Sequence, residues 1–259
     1  MRLLEPIREA GFPFHEDVVR VFIGGSELHG AKLVGRDDMD IYGIYVEPPG
    51  RILGLHPFEH FVWSTSGQHE RNGPQDVDIT LYGLRKWAGL ACKGNPSIIH
   101  SIFAPADNLP SDTWFHAVTK FRSAYLAKSH HKAFMGFADA QMGRLLGTRG
   151  RGKKGQRPEL EAEFGYDVKA GMHCIRLLHE AIELISTGEM TFPRPEKDLL
   201  ISIRQGAWTL DKLSSEANLL FAELKARVVT SPLPEDVDRK CISQAITNGY
   251  LRHWKKWKI

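Results

Sequence analysis

The sequence predicts an α+β fold in which a sheet-containing first region is followed by an all-helical second region. Short β-rich runs separated by turns occupy the first hundred residues, whereas helical periodicity dominates from residue 111 onwards. Pro105 and Pro110 flank a polar turn between these two patterns. We therefore expect one domain over residues 1–108 and a helical domain over residues 109–259.

Composition limits the classes of protein that this chain could be. Its 259 residues are 42% hydrophobic and 25% charged, which is ordinary for a globular protein with a real core. No apolar run approaches the ~20 residues of a membrane span, and the N-terminus lacks a signal peptide's apolar stretch. Three scattered cysteines favour a reducing cytoplasm and argue against a disulfide framework or zinc site. Because the net charge is only +3, nucleic-acid binding would depend on local basic patches.

Four candidate strands lie in the first region, each bounded by turn-forming residues. They cover residues 18–23, 39–46, 60–64 and 77–81. The first strand runs into Gly24 and Gly25, and Ser26 is then expected to cap a helix with Glu27 in its first turn. An amphipathic helix is predicted over residues 82–93.

The second region contains five segments with helical periodicity. They cover residues 111–130, 132–146, 164–186, 194–226 and 232–249. One segment differs, because residues 147–158 carry basic residues among glycines and no apolar position, so we expect a solvated loop there. Its basic residues are Arg149, Arg151, Lys153, Lys154 and Arg157.

The glycine turn and the acids that follow it form one candidate site. Asp38 and Asp40 are two residues apart at the start of a strand, so they share a face that Asp37 does not. Two such carboxylates repel each other unless a cation lies between them, and Mg²⁺ prefers oxygen ligands together with substrate phosphates. The glycines allow a close backbone approach, and a helix N-terminus favours phosphate. This combination is typical of phosphoryl or nucleotidyl transfer.

A third acid would complete a site of this kind, since a further carboxylate can bind metal or take the proton of the attacking group. Asp76 and Asp78 lie near the start of the fourth candidate strand, again two residues apart. A neighbouring strand could bring one of them beside Asp38 and Asp40. We choose Asp78 because it lies inside the strand; the alternative is an acid at a strand edge that faces solvent.

These residues resemble the DNA polymerase β-like nucleotidyltransferase superfamily. The match consists of Gly25-Ser26 with Gly30, followed by Asp38-x-Asp40 with Gly43. A closer resemblance is to a branch of predicted bacterial and phage nucleotidyltransferases that includes those associated with RNA ligases. That branch also matches residues 78–87, Gly94-Asn95-Pro96, Lys169 with His173 and Arg176, and residues 203–206. The order and spacing cover about residues 20 to 210, with Asp37 in place of a frequent Ser and Trp87 in place of Phe.

The resemblance implies a nucleotidyltransferase core with a mixed sheet, which moves a nucleoside monophosphate from an NTP and releases pyrophosphate. By the same resemblance Gly25 and Ser26 hold the triphosphate. It also implies two ions of Mg²⁺ or Mn²⁺, bound by the catalytic residues Asp38, Asp40 and Asp78. The association with RNA ligases suggests an RNA acceptor, such as a tRNA or a damaged RNA end, in the cytoplasm of a bacterium or a phage-infected cell.

Basic residues of the helical region offer contacts to the triphosphate. Lys169, His173 and Arg176 are spaced i, i+4 and i+7, so they lie along one helix face. Such a stripe is often simply the solvated side of an amphipathic helix. Directed across a cleft, the same stripe would neutralise charge that develops on the leaving pyrophosphate.

Other basic residues are weaker candidates. Arg85 and Lys86, which begin the helix after Asp78, could contact the triphosphate, and Arg204 could instead be a structural ion-pair partner. The basic loop could follow a phosphate backbone without reading its sequence. The tail over residues 251–259 interleaves two tryptophans with basic residues, which predicts either stacking on unpaired bases or a docked terminal helix.

Three functions therefore remain open. The first is nucleotidyl transfer to RNA, and the second is the same chemistry on a protein (of the AMPylation type) or a small molecule. The third is a non-catalytic module that binds NTP or RNA, which the three mutually repelling acids argue against. The sequence leaves open the NTP, the acceptor and the oligomeric state.

Overall fold

The computed structural model describes residues 3–67, 73–105, 111–148 and 157–255. Its strands are β1 (Val18–Ile23), β2 (Met39–Tyr45), β3 (His60–Ser64) and β4 (Val77–Gly83). The four predicted strands are thus confirmed, and β4 extends two residues further than its pattern predicts. Helices dominate the rest, which confirms an α+β fold with a helical C-terminal region.

The helices of the described residues vary widely in length. They are α1 (Leu4–Glu9), α2 (Gly25–Leu28), α3 (Pro49–Ile52), α4 (Leu84–Ala91), α5 (Pro96–Phe103), α6 (Asp112–Ala117), α7 (His131–Leu145), α8 (Pro158–Phe164), α9 (Val168–Thr187), α10 (Lys197–Arg204), α11 (Leu210–Thr230) and α12 (Arg239–Trp254). Short 3-10 turns cover His15–Asp17, Thr119–Tyr125 and Lys128–His130. In the described part of the chain no helix is long and apolar enough to cross a membrane.

The sheet is mixed and has the strand order β1-β2-β4-β3. β2 and β4 run parallel, whereas β1 pairs with β2 and β3 with β4 in antiparallel fashion. Parallel neighbours need a crossover connection, and the chain between β2 and β4 supplies it while adding β3 at the edge. The parallel register places Asp40 opposite Asp78 and Ile41 opposite Ile79. Alternation along these strands therefore buries the isoleucines on one face and puts both acids on the other.

Apolar residues form three clusters around this sheet. One lies between the sheet and α1, and a second is formed by helices of the second region around α9. The third combines residues of β1, β2, α4 and α5 with residues of α6 and α12. The division at residue 108 stays a prediction, and the last helix completes a core that belongs largely to the first region.

Two long predicted helical segments are divided in the structure. The segment 194–226 was expected to be helical throughout, but α10 ends before Gly206, which has φ +76°. α11 then begins after Thr209, whose side chain accepts a hydrogen bond from the Lys212 amide at 3.2 Å. The segment 111–130 is likewise divided into α6 and 3-10 turns. A positive φ ends an α-helix, and side-chain capping then starts a new one.

Candidate active site

The turn after β1 brings the chain directly against an acid of β2. Gly25 has φ +55°, and a Cβ atom at this position would overlap the Asp40 carboxylate. A Cβ atom at Gly24 would overlap the ring of Tyr42, and the Gly24 amide donates to the Asp40 carbonyl at 2.8 Å. Both positions therefore require glycine if the turn is to lie against the acidic strand.

The predicted role of Ser26 as a helix cap is wrong. α2 begins at Gly25 and ends at Leu28, so Ser26 already lies inside its first turn and Gly24 precedes the helix. The Ser26 hydroxyl instead donates to Asp37 Oδ2 at 3.2 Å. Ser26 nevertheless lines the same cavity as Gly25.

Three carboxylates line one cavity of about 420 Å³ together with the glycine turn. Asp38 lies just before β2, and Asp40 and Asp78 are aligned partners on β2 and β4. Because adjacent strands are about 4.8 Å apart, this register holds the last two side chains close together. Burial, and then the neighbouring Asp38 and Asp78, raise the pKa of Asp40 to about 6.

The acids fit a divalent cation. Asp78 Oδ1 is buried and has no hydrogen-bond partner among the described residues. Burial is the largest cause of the raised pKa of Asp40, and a positive ion would relieve the repulsion from Asp38 and Asp78 that adds to it. Carboxylate oxygens facing an open cavity are the donors that Mg²⁺ takes in proteins alongside substrate phosphates.

Another part of the cavity is lined mainly by residues of α9. Lys169, His173 and Arg176 all line it, as their spacing predicts, and Arg157 joins them. Asp167 caps the helix by accepting from the Ala170 amide at 2.9 Å, and its other oxygen accepts from Arg157 at 2.9 Å. The apolar side of α9 packs into the helical core. The same helix thus anchors itself in the core and presents a basic face to the acids.

His173 contributes no positive charge to this face. Burial, followed by the charges of Arg176 and Lys169, lowers the pKa of His173 well below its usual 6.5. The neutral ring accepts at Nδ1 from Arg176, with 3.3 Å between the nitrogen atoms. The cations that line the cavity on this side are therefore Lys169, Arg176 and Arg157.

Arg85 and Lys86 do not reach this cavity, contrary to their predicted contact with the triphosphate. They follow β4 at the end opposite to Asp78, on the order of 20 Å along an extended strand. The Lys86 amine lies 3.2 Å from a Glu59 oxygen, and Arg85 lies 3.9 Å from the other. Both side chains instead form exposed ion pairs with Glu59 at the far end of the sheet.

The predicted nucleic-acid contacts are only partly within the structure. Arg149, Arg151, Lys153 and Lys154 lie outside the described residues, whereas Arg157 lines the cavity. In the tail, Trp254 Nε1 donates to the Glu47 carbonyl at 2.9 Å, and its ring contacts Tyr250. Trp254 therefore belongs to a docked helix, and Trp257 lies outside the described residues.

Asp37 and Arg204 form a buried ion pair beside the site. Arg204 donates to both carboxylate oxygens of Asp37 and to the Ala31 carbonyl. Burial would raise the pKa of Asp37, but the hydrogen bonds from Arg204 and from the Leu33 amide outweigh it and hold the pKa at about 2. Because Arg204 occupies its carboxylate, Asp37 does not join Asp38, Asp40 and Asp78 as a candidate metal ligand. Arg204 has the structural role that the sequence left open.

Three buried polar residues at or next to the cavity are absent from the sequence predictions. His29 follows α2, His100 lies on α5, and Glu180 lies one turn after Arg176 on α9. Glu180 is fully buried within an apolar stretch of its helix. A charged residue on a buried helix face is the one signal in the sequence that could have indicated this cluster.

Comparison with known proteins finds a family and two proteins to which the chain is similar. The family model of the RNA repair pathway DNA polymerase beta family matches residues 4–241. An uncharacterized 38.9 kDa protein of the nrdC-mobD intergenic region of Enterobacteria phage T4 is 24% identical over 247 residues, covering 87% of this chain and 72% of the phage protein. A nucleotidyltransferase-like protein from Exiguobacterium sibiricum 255-15 is 13% identical, covering 98% of this chain and 74% of its own, with a TM-score of 0.31. On the family match, the chain belongs to the RNA repair pathway DNA polymerase beta family and is a polymerase β-like nucleotidyltransferase.

Proposed function

We propose that this enzyme transfers a nucleoside monophosphate from an NTP to RNA and releases pyrophosphate. The observation that carries the proposal is the pairing of Asp40 with Asp78 beside the Gly25 turn, in a cavity that Lys169 and Arg176 also line. A triphosphate with bound cations has the charge distribution that fits between an acidic and a basic wall. The cavity volume of about 420 Å³ suits a ligand of nucleotide size.

Each wall has its own part in the proposed reaction. Asp38, Asp40 and Asp78 would hold two Mg²⁺ or Mn²⁺ ions, which would supply charge neutralisation and a lowered pKa for the attacking hydroxyl. Gly25 and Ser26 bind the triphosphate at the turn. Lys169 and Arg176 stabilise the charge that develops on the leaving pyrophosphate; the gain depends on their being in place before the reaction.

The bonds that change define the reaction. An acceptor hydroxyl oxygen forms a bond to the α-phosphorus, and the bond from that phosphorus to the oxygen bridging to the β-phosphate breaks. Pyrophosphate leaves with the electron pair of that bond. The hydroxyl proton passes to a carboxylate of the acidic set, for which Asp78 is the candidate because the family resemblance gives the third acid this role or that of a metal ligand.

The RNA acceptor is supported by two observations. The family that matches the chain is named for an RNA repair pathway. Arg157, which lines the cavity, is the last basic residue of the glycine-spaced segment 147–158, so a polyanion bound at that segment would lead towards the acids.

Labelling tests the proposal. The protein is incubated with each α-³²P-labelled NTP, Mg²⁺ or Mn²⁺, and either total RNA or total protein. We expect label on RNA with the wild type and none with an Asp38→Asn/Asp40→Asn variant. Label on protein alone would overturn the RNA acceptor, and equal label with the variant would overturn the catalytic role of the acids.

A second variant tests the basic segment separately. Replacing Arg149, Arg151, Lys153 and Lys154 together by glutamine removes charge and leaves Arg157 in the cavity. We expect weaker labelling of RNA and an unchanged affinity for the NTP. Unchanged labelling of RNA at every salt concentration would remove the segment from the acceptor site.

A further inference from the structure

A buried polar cluster next to the cavity has no part in the proposed reaction so far. Glu180 is fully buried, and His29 and His100 are 3% and 6% exposed. His29 Nδ1 lies 3.2 Å from Glu180 Oε1, and His100 Nε2 lies 3.1 Å from Oε2. Both histidines also line the cavity. The cluster joins α5, α9 and the residue that follows α2.

Glu180 needs these partners because an isolated buried carboxylate is very costly. Arg176 lies one helical turn before it, with its guanidinium nitrogen 3.7 Å from Oε1. Burial would raise the pKa of Glu180, but Arg176 and His100 outweigh it and lower the pKa. The carboxylate of Glu180 is therefore an anion, and the cavity-lining cation that it attracts is Arg176.

The contact between Arg176 and His29 fixes where the ring proton lies. The guanidinium group of Arg176 contacts His29 Nε2 and can only donate, so Nε2 accepts and the proton lies on Nδ1, towards Glu180. Burial, and then the charge of Arg176, lowers the pKa of His29 well below 6.5, which keeps this ring neutral. His29 Nδ1 and Glu180 Oε1 therefore face each other at 3.2 Å without a hydrogen bond, and neither atom has a hydrogen-bond partner among the described residues.

The same atoms argue against a metal ion in this cluster. One ligand atom each from His29, His100 and Glu180 lies within 4.8 Å of the others, which could suit a metal ion. A ligand atom must have a free lone pair, however, and the Arg176 contact places a proton on His29 Nδ1. A guanidinium group against the cluster also opposes a second positive charge.

We propose that Glu180, together with His29 and His100, is a positioning residue that holds the Arg176 guanidinium towards the phosphates of the NTP. The inference rests on the proposed function and extends it to a second layer of residues. An arginine side chain has many rotamers, so a contact that is fixed before binding costs less entropy when the phosphates arrive. Arg176 also donates to His173 Nδ1 at 3.3 Å, so its guanidinium is held from two sides.

A double-mutant cycle tests this coupling. Calorimetry measures the binding of inorganic tripolyphosphate with Mg²⁺, a probe without base or sugar, to wild type, Arg176→Ala, Glu180→Gln and the double variant. We expect each single variant to bind about tenfold more weakly, which corresponds to the loss of about one charged hydrogen bond. The double variant should bind like Arg176→Ala alone, because Glu180 acts through Arg176.

Matched variants separate positioning from stability. His100→Gln keeps a nitrogen donor for Glu180 and should bind tripolyphosphate nearly like the wild type, whereas His100→Leu should bind about tenfold more weakly. Glu183→Gln, on the same helix but paired with Arg194 outside the cavity, should change the melting temperature and leave the affinity unchanged. The His100 pair keeps the test usable if Glu180→Gln does not fold.

Different outcomes overturn different claims. If the wild type binds neither tripolyphosphate nor any NTP, the proposed function fails, and this inference with it. If the wild type binds and Arg176→Ala weakens binding, but Glu180→Gln does not or the two effects add, only the positioning role fails. One equivalent of a transition metal in the purified wild type that is lost from Glu180→Gln would replace this inference by a metal site.

Discussion

At the scale of single residues, Gly25 shows how closely the turn approaches the acidic strand. A side chain there would occupy the space of the Asp40 carboxylate, so the glycine is required by a contact as well as by its positive φ. Gly35 has φ +75°, but a Cβ atom at Gly35 would meet no other atom within 4 Å, so Gly35 shares only the second requirement. Substituting Gly35 would therefore strain the backbone alone, whereas substituting Gly25 would strain the backbone and also displace the Asp40 carboxylate.

We expect Gly25→Ala to lose roughly 100-fold or more in activity, because displacing a carboxylate by about 1 Å can cost that much. Gly35→Ala should lose a similar backbone free energy, about 1 kcal/mol, and keep its activity. Nucleotidyl transfer and urea unfolding of both variants measure the two effects. Equal activity of the two variants would contradict the close approach of turn and acid.

His130 makes stability depend on pH. Burial lowers its pKa to about 4, and neither ring nitrogen has a hydrogen-bond partner among the described residues. Below pH 6.5 His130 is protonated in the unfolded chain but stays neutral in the folded chain. The free energy of unfolding therefore decreases as the pH falls from 6.5 towards 4.

Between pH 7 and pH 5 we expect the wild type to lose about 2 kcal/mol more unfolding free energy than His130→Leu. His29 and His173 titrate in the same direction in both proteins, so the difference between the two proteins isolates His130. Urea unfolding at the two pH values is the measurement. Parallel pH profiles would show that the ring is accessible to protons in the folded state.

At the scale of elements, α9 and α10 hold the site from the helical side. α9 carries the basic face and Glu180, and α10 carries Arg204, which holds the loop before β2 through Asp37. Period-two spacing predicts a different face for Asp37 than for Asp38 and Asp40, but β2 begins only at Met39, and the spacing does not reveal that Asp37 is buried. That burial depends on Arg204, which lies 167 residues further along the chain.

Asp37 and Asp38 are adjacent acids with opposite expected phenotypes. Asp37→Asn should cost about 3 kcal/mol of unfolding free energy, because it leaves Arg204 buried without its full partner. Asp38→Asn should cost less than about 1 kcal/mol and abolish nucleotidyl transfer, since it removes a proposed metal ligand. Chemical unfolding and α-labelled NTP assays on both variants test the contrast. An inactive but fully stable Asp37→Asn variant would place Asp37 in the site after all.

At the scale of the whole molecule, the last helix returns to the first region. Tyr250 donates to the buried carboxylate of Glu47, which also accepts from the Leu84 amide at 2.9 Å. His253 lies 2.9 Å from Asp17. α12 thus closes the core beside β2, whose first residues carry the site.

Tyr250→Phe should therefore destabilise the protein by about 1–3 kcal/mol, because a buried carboxylate loses a donor. Tyr166→Phe is the matched control, since its hydroxyl donates at 3.0 Å only to the Trp208 carbonyl, and about 1 kcal/mol is expected there. Thermal unfolding compares the two variants. A smaller loss for Tyr250→Phe than for Tyr166→Phe would contradict the role of Glu47 as an anchor for α12.

Local spacing in the sequence is enough to predict the four strands, the glycine turn, the acid pair and the basic stripe. All of these depend on neighbours within a few residues, whose geometry follows from strand and helix periods. Where segments divide at a glycine or a cap, as at Gly206, periodicity alone predicted one helix and was wrong. The packing of the chain is needed to show that Asp78 pairs with Asp40, that Arg85 and Lys86 lie at the far end of the sheet, and that two histidines contact Glu180. These contacts depend on strand order and helix packing, or join residues 80 or more positions apart, and no local spacing encodes which distant side chains meet when the chain packs.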